Sequence, residues 1–249
     1  TVAIFLTHAQ GFNGLSDELL DLVSDKGIEL IEDVCESHGA VFKGKKLGSF
    51  GSISNFSFFY AHHLSTIEGG MICTNSAEVY ELARMMRSHG LVRELDSSSL
   101  REDFARSHPE LNPEFIFAIP AFNFRNTEIG ATIGLNQIKR LDEQNIRRNS
   151  NSLYLIKNLR ADLFYTNFDV EGMSNYAHQI ILRHDKVYLV EKLIQVLNEN
   201  GIEYRRGSVG GGNQLRQPYL AAMFPTLDPH SFPVTDHVHY YGFYIGNYP

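Results

Sequence analysis

Short apolar runs and amphipathic stretches alternate along the first part of the chain. The apolar runs predict buried strands at residues 3–7, 28–31, 53–59 and 71–74. Helices are predicted at 16–25, where Ser16 is the N-cap, and at 77–87, which follows Ser76. This alternation of strands and helices favours an α/β layered fold with a largely parallel sheet.

The pattern changes after residue 95. Residues 95–120 are polar and contain three prolines, which predicts a long irregular loop. A long helical periodicity follows at 127–159, and then come a strand at 178–182, a helix at 187–200, a glycine-rich turn and a stretch rich in His and Tyr. We therefore expect a large domain at 1–150 and a smaller α+β domain at 151–249.

Composition narrows the class of protein. The chain has 249 residues and a net charge of −7 without a run of Lys or Arg, so nucleic acid is not an expected partner. No apolar run approaches bilayer length, and two cysteines, Cys35 and Cys73, predict no disulfide scaffold but a reducing cytoplasm. The chain starts without Met on an apparent strand and stops in mid-pattern, which predicts a fragment of a longer protein.

Candidate chemistry is concentrated between residues 31 and 75. Asp33 ends a predicted parallel strand, where open α/β sheets bind ligands, and its carboxylate can pair with a cationic ring nitrogen or merely cap a turn. Ser57 ends an apolar run and could donate to a phosphate. The adjacent His62 and His63 lack the spacing of a metal site, so metal is not expected.

Taken together, these segments resemble the sugar aminotransferase family that uses pyridoxal phosphate on the aspartate-aminotransferase fold. The matching segments, which span essentially the whole chain, are Glu32-Asp33, Phe56-Ser57-Phe58, Glu68-Gly69-Gly70, 122–131, 201–205 and 215–218. The resemblance implies the type I fold of pyridoxal-phosphate-dependent transferases, with a parallel-rich sheet in the large domain. It also implies pyridoxal 5'-phosphate or pyridoxamine 5'-phosphate as the cofactor.

One position departs from the family pattern. His62 stands where the family has the lysine that bonds covalently to the cofactor. Histidine cannot form that bond, but with an ordinary pKa of about 6.5 it can still accept a proton. A branch of the family with this exchange removes a sugar hydroxyl instead of adding an amine, which predicts a dehydratase acting on a nucleotide-linked 4-keto sugar, with glutamate as amino donor. A related branch adds an iron–sulfur cluster that needs about four cysteines. Only Cys35 and Cys73 are present, which favours the branch without a cluster.

The resemblance also implies residue roles. His62 is the expected proton-transfer residue, and the expected cofactor-binding residues are Asp33, Glu36, Ser57 and Asn123. Asn123 would reach the phosphate of a neighbouring subunit, which implies a homodimer with shared active sites. Candidate substrate-binding residues are His89, Arg93 and Arg205. A helix C-cap explains His89 equally well, and surface salt bridges explain the arginines at least as well. His237 and His239 alternate as on a strand and are interpreted as structural.

Two alternatives stay open at this point. An ordinary nucleotide-sugar aminotransferase would need a lysine at position 62, and none of Lys43, Lys45, Lys46 and Lys139 is placed to substitute. A catalytically inactive protein that binds sugar nucleotides would also lack the lysine. Retention of Asp33, Ser57 and Asn123 favours the dehydratase over this second alternative.

Overall fold

The structure, a computed structural model, describes residues 1–249 apart from the side chain of Val209. The chain forms two compact units. The first comprises residues 1–7, 14–35 and 45–140, and the second comprises 8–13, 36–44 and 141–249. The predicted division into a large domain at 1–150 and a small domain at 151–249 stays a prediction.

The strands and helices that the sequence pattern predicts are present, and further short elements lie between and after them. In chain order they are β1 Ala3–Thr7, α1 Asp17–Lys26, β2 Glu29–Asp33, β3 Val41–Phe42, β4 Lys45–Lys46, β5 Ile53–Ser57, β6 Gly70–Thr74, α2 Ala77–Met86, α3 Ser98–Ser107, α4 Glu128–Asn158, β7 Ala177–Ile181, α5 Val190–Glu199, β8 Tyr204–Arg206, α6 Pro218–Met223, α7 Pro233–Tyr241 and β9 Gly242–Gly246.

The sheet of the first unit has four strands in the order β1-β2-β5-β6. β1, β2 and β5 are parallel, and β6 runs antiparallel to β5. Thr7 pairs with Asp33, and Asp33 pairs with Asn55, so the carboxyl ends of three strands meet at one edge of the sheet. Ligands bind at this edge in open α/β sheets.

Local signals placed the first two helices correctly. The Ser16 hydroxyl accepts a hydrogen bond from the backbone N–H of Leu19 at 3.2 Å, and the Ser76 hydroxyl accepts one from Val79 at 3.3 Å. Both are N-caps that satisfy an otherwise unpaired donor of the first helical turn. β5 is shorter than predicted, since it ends at Ser57 rather than at residue 59.

The prediction of an irregular segment at 95–120 is wrong in part, because α3 forms inside it. The Ser97 hydroxyl caps α3 by accepting from the backbone N–H of Leu100 at 3.3 Å. Phe104 of α3 packs against a buried cluster that is made by Met85, Val92, Leu95 and Ile116. Burial of one aromatic side chain therefore stabilises a helix whose own apolar pattern is weak.

The second unit contains an antiparallel sheet in the order β7-β9-β8, with Leu182 and Phe243 fully buried. This arrangement agrees with the predicted α+β organisation. The strand-like interpretation of His237 and His239 is wrong, because both lie on α7, which begins at Pro233. Proline is favoured in the first helical turn. His237 is buried with its Nε2 2.6 Å from the carbonyl oxygen of Leu182, which fits the structural role expected for it.

Neither cysteine is in a disulfide. Among the described residues, no helix has an apolar stretch long enough to cross a bilayer.

Candidate active site

The Asp33 carboxylate is the best-oriented acid at the carboxyl edge of the parallel strands. Its Oδ1 accepts hydrogen bonds from the backbone N–H of Cys35 and from the side-chain Nδ2 of Asn55, each at 3.0 Å. In the part of the chain that the structure describes, neither interaction involves Oδ2. One oxygen is therefore fixed, and the other remains available to a ligand.

Glu32, the neighbour of Asp33, has a structural role. It is fully buried, and it accepts backbone hydrogen bonds from Gly48 at 2.7 Å, Phe50 at 2.8 Å and Gly51 at 2.7 Å. Successive residues of a strand point to opposite faces of the sheet. The Glu-Asp pair therefore divides into a structural acid that holds the loop before β5 and an acid that faces the site.

Ser57 is the last residue of β5 and lies two positions beyond Asn55, hence on the same face of the sheet. Its Oγ accepts a hydrogen bond from the backbone N–H of Phe59 at 3.3 Å. A hydroxyl that accepts in this way still has its own proton to donate. The side chain is thus able to donate to a phosphate oxygen, and phosphate binding by Ser57 stays a prediction.

His62 lies in the turn that follows β5, and its backbone N–H donates to the carbonyl oxygen of Phe59 at 3.0 Å. The two rings meet edge to face, with centroids 5.6 Å apart. Burial lowers the pKa of His62, whereas a hydrogen bond to the backbone of Ser57 and the charge of Asp33 partly oppose this change. The imidazole is therefore mainly neutral at neutral pH and able to accept a proton.

Asp33, Ser57 and His62 thus belong to one local arrangement at the ends of β2 and β5, and its chemistry fits a phosphorylated pyridine cofactor. The half-held carboxylate of Asp33 suits a cationic ring nitrogen, and the Ser57 hydroxyl suits a phosphate oxygen. His62 supplies a group that exchanges protons near neutral pH. Among the described residues, no cluster of three or more His, Cys, Asp or Glu side chains could hold a metal ion.

The Glu68-Gly69-Gly70 motif lines a groove of about 650 Å³ between the turn at 66–70 and the start of α4. Thr66 is buried there, and its Oγ1 donates to the carbonyl oxygen of Glu68 at 2.8 Å. A Cβ at position 69 would lie 2.5 Å from the Oγ1 of Thr66, so only glycine fits without a shift of this turn. Neither Thr66 nor Asn55 was predicted from the sequence. The polar position of Asn55 inside an apolar strand was the signal that could have found it.

His89 lies three residues beyond α2 and lines a pocket of about 450 Å³ together with residues 117–121. It has a φ of +61°, and its backbone N–H donates to the carbonyl oxygen of Phe122 at 2.7 Å. Arg93 is engaged locally: its guanidinium lies 5.1 Å from the ring centroid of Phe115 and 3.9 Å from the Glu94 carboxylate. Substrate binding by His89 and Arg93 stays a prediction.

Asn123 is exposed on an extended segment. Its Oδ1 accepts hydrogen bonds from the backbone N–H of Arg125 at 3.3 Å and from Nε of the same residue at 3.1 Å. The flanking Phe122 and Phe124 are each 72% exposed. The expected contact between Asn123 and a phosphate in a neighbouring subunit stays a prediction.

Glu36 and Arg205 belong to the second unit. The Oε2 of Glu36 accepts from the backbone N–H of Gln10 at 2.9 Å. Arg205 is exposed and forms a 2.7 Å ion pair with Glu203, which matches the surface salt bridge considered for it. Their roles toward cofactor and substrate also stay predictions.

The chain is similar to known proteins over its whole length. A model of the DegT/DnrJ/EryC1/StrS aminotransferase family matches residues 1–249. The GDP-4-keto-6-deoxy-D-mannose 3-dehydratase of Escherichia coli O55:H7 is 29% identical over 249 residues, which are 100% of this chain and 63% of that enzyme. A GDP-perosamine synthase of Caulobacter vibrioides is 35% identical over 143 residues, which are 57% of this chain and 34% of that enzyme.

A solved structure shows the likeness in three dimensions. The E. coli GDP-4-keto-6-deoxy-D-mannose 3-dehydratase with bound hydrated PLP superposes with a TM-score of 0.85 at 28% identity, covering 100% of this chain and 63% of that one. The predicted α/β fold of pyridoxal-phosphate-dependent transferases is thereby confirmed. The chain spans less than two thirds of the length of these two dehydratase chains.

Proposed function

Since the chain belongs to the DegT/DnrJ/EryC1/StrS aminotransferase family, we propose that it is a pyridoxal-phosphate-dependent 3-dehydratase of a nucleotide sugar. The proposed substrate is GDP-4-keto-6-deoxy-D-mannose, and the proposed reaction removes the 3-hydroxyl on the route to colitose in lipopolysaccharide O-antigen biosynthesis. Similarity over the whole chain to a dehydratase with this substrate supports the choice of sugar.

The observation that carries the proposal is the position of His62. A family transaminase needs a lysine that can bond to its cofactor, whereas this chain has an imidazole beside Asp33 and Ser57. A neutral imidazole moves protons but does not hold the cofactor covalently. The residue therefore suits a reaction in which the cofactor binds non-covalently and a proton must be moved.

The chain's own residues would divide the work as follows. Asp33 holds a proton on the ring nitrogen through its available Oδ2, and Ser57 donates to the phosphate. An imidazole nitrogen of His62 would accept the proton given up by the carbon that bears the cofactor's amine, and would return it to the departing 3-hydroxyl, which leaves as water. The chemistry that pyridoxamine phosphate supplies when bound is an amine for the 4-keto group and a ring that takes up electrons. Glutamate is the proposed donor that restores the amine.

We also propose a homodimer with shared active sites. Phe122 and Phe124 are largely exposed on either side of Asn123, and their rings lie 5.5 Å apart. Their exposed apolar surface fits a face that another chain covers. If a second subunit buries these two rings, Asn123 of the first subunit would also lie near the phosphate site of the second.

A second candidate function is a nucleotide-sugar aminotransferase. The 35% identity to a GDP-perosamine synthase over 143 residues favours it. The imidazole at position 62 speaks against it, because an amine at that position is what transamination uses. The third candidate, a binding protein without activity, is supported by no specific feature of the site.

The sugar that the full-length protein releases distinguishes these functions. The protein would be incubated with pyridoxamine phosphate, glutamate and GDP-4-keto-6-deoxy-D-mannose, and the sugar product would be weighed by mass spectrometry. A product that has lost one oxygen and gained no nitrogen supports the dehydratase. A product with a new amine would establish the aminotransferase instead.

The variant His62→Asn tests the role of the imidazole in the same assay. We expect a loss of turnover of about a hundred- to ten-thousandfold, which is the usual contribution of a general acid–base residue. The matched control is His108→Asn, an exposed histidine of the same unit, which should retain activity. Equal turnover in His62→Asn and the wild type would refute the proposed role.

A further inference from the structure

Asn55 contacts the carboxylate of Asp33 across two parallel strands. The two residues are register partners in β2 and β5, so their side chains leave the sheet on the same face. Nδ2 of Asn55 donates to Oδ1 of Asp33 at 3.0 Å and also lies 3.1 Å from Sγ of Cys35. The backbone N–H of Cys35 completes the arrangement by donating to the same Oδ1 at 3.0 Å.

The orientation of the Asn55 amide is fixed by charge. Its Oδ1 is buried and has no hydrogen-bond partner among the described residues. A flip of the amide would turn this oxygen toward Asp33, which accepts hydrogen bonds but cannot donate them when ionised. A buried acceptor without a partner costs about 1–3 kcal/mol. The amide therefore does more than fill space, because an apolar or β-branched residue would suit this strand position better.

We propose that Asn55 is a positioning residue for Asp33, which fixes one carboxylate oxygen so that the other is aimed at the ring nitrogen of the cofactor. Two donors on Oδ1 define the plane of the carboxylate. Rotation of that plane would break both hydrogen bonds at once. This inference rests on the proposed function, since it assumes that a pyridine cofactor binds at Asp33.

The test uses cofactor carrying ¹⁵N in its ring and the complete protein with Asn55→Leu, Asn55→Thr or Ile53→Val. Asn55→Leu keeps the approximate size of the side chain but removes the donor, whereas Asn55→Thr keeps a hydroxyl that can donate across the strand pair. Ile53→Val is the control for packing in β5. The measurements are the cofactor dissociation constant and the ¹⁵N resonance of the bound ring, which reports protonation of its nitrogen.

We expect Asn55→Leu to bind the cofactor about tenfold more weakly, as for loss of one hydrogen bond to a charged group. Its ring resonance should move toward that of the neutral ring, Asn55→Thr should restore part of the shift, and Ile53→Val should match the wild type. If Asn55→Leu shows wild-type affinity and resonance, Asn55 has only a packing role and the inference fails while the proposed function stands. If the wild-type protein itself binds no cofactor, the proposed function fails and the inference fails with it.

Discussion

On one face of β2, the Glu32 carboxylate accepts hydrogen bonds from the backbone N–H groups of Gly48, Phe50 and Gly51. On the other face, the Asp33 carboxylate has, among the described residues, hydrogen-bond donors on one oxygen only. Both acids end the same strand, and both come from one two-residue motif. Burial and hydrogen bonds to both oxygens therefore mark the structural acid, whereas a second oxygen without donors at the sheet edge marks the acid available to a ligand.

Substitution of Asp33 should abolish most of the activity and spare the fold, which is the largest effect that we expect among the tests of this comparison between the two acids. Asp33→Asn keeps an oxygen that can accept from Cys35 and Asn55 but removes the negative charge that holds a proton on the ring nitrogen. Turnover should fall about a hundred- to thousandfold, as for loss of one preorganised electrostatic partner. The free energy of unfolding, measured with urea, should change by less than about 1 kcal/mol. A large loss of stability without loss of turnover would reverse the roles assigned to the two acids.

Substitution of Glu32 should weaken the fold and spare the activity. In Glu32→Gln an amide N–H₂ replaces one carboxylate oxygen. This donor then faces backbone N–H groups of the loop before β5, which are donors as well. The free energy of unfolding should fall by about 3 kcal/mol, because buried donors lose a charged acceptor. Urea unfolding measures this, with Glu29→Gln as the control at an exposed position of the same strand. Comparable stability of the two variants would show that the three hydrogen bonds contribute little.

The sequence contained enough local information to place most elements of both units but not to separate the two acids. Ser16 and Ser76 cap their helices as predicted because capping depends on neighbours along the chain. α3 was missed because its stability comes from Phe104 packing on distant residues. The contact between Asn55 and Asp33 joins residues 22 positions apart, so it depends on which strands pair in the folded sheet, and this pairing is not visible in the sequence next to either residue.

Gly51 offers a smaller test of the Glu32 side. A Cβ at this position would lie 2.3 Å from the carbonyl oxygen of Leu30, which is backbone and cannot rotate away. Gly51→Ala should therefore displace the loop that donates to Glu32 and lower the free energy of unfolding by about 1–3 kcal/mol, as for other overpacked sites. Gly246→Ala is a control, because open space surrounds that position. If both variants unfold at the same urea concentration, the loop is more adaptable than its close contacts indicate.

The smallest effect that we expect is a pH dependence from His62 on the Asp33 side. Burial lowers its pKa in the folded protein below the ordinary value of 6.5, so the unfolded chain takes up a proton at higher pH than the folded chain does. Its contribution to stability is complete above pH 6.5 and is lost as the pH falls from there toward the lowered pKa. His178 and His237 also have lowered pKa values because of burial, so the wild type alone cannot isolate His62. Urea unfolding of the wild type and of His62→Asn at pH 7.5 and 5.5 separates the contributions. The wild type should lose more stability than the variant between these pH values, and an equal loss would mean that His62 titrates alike in both states.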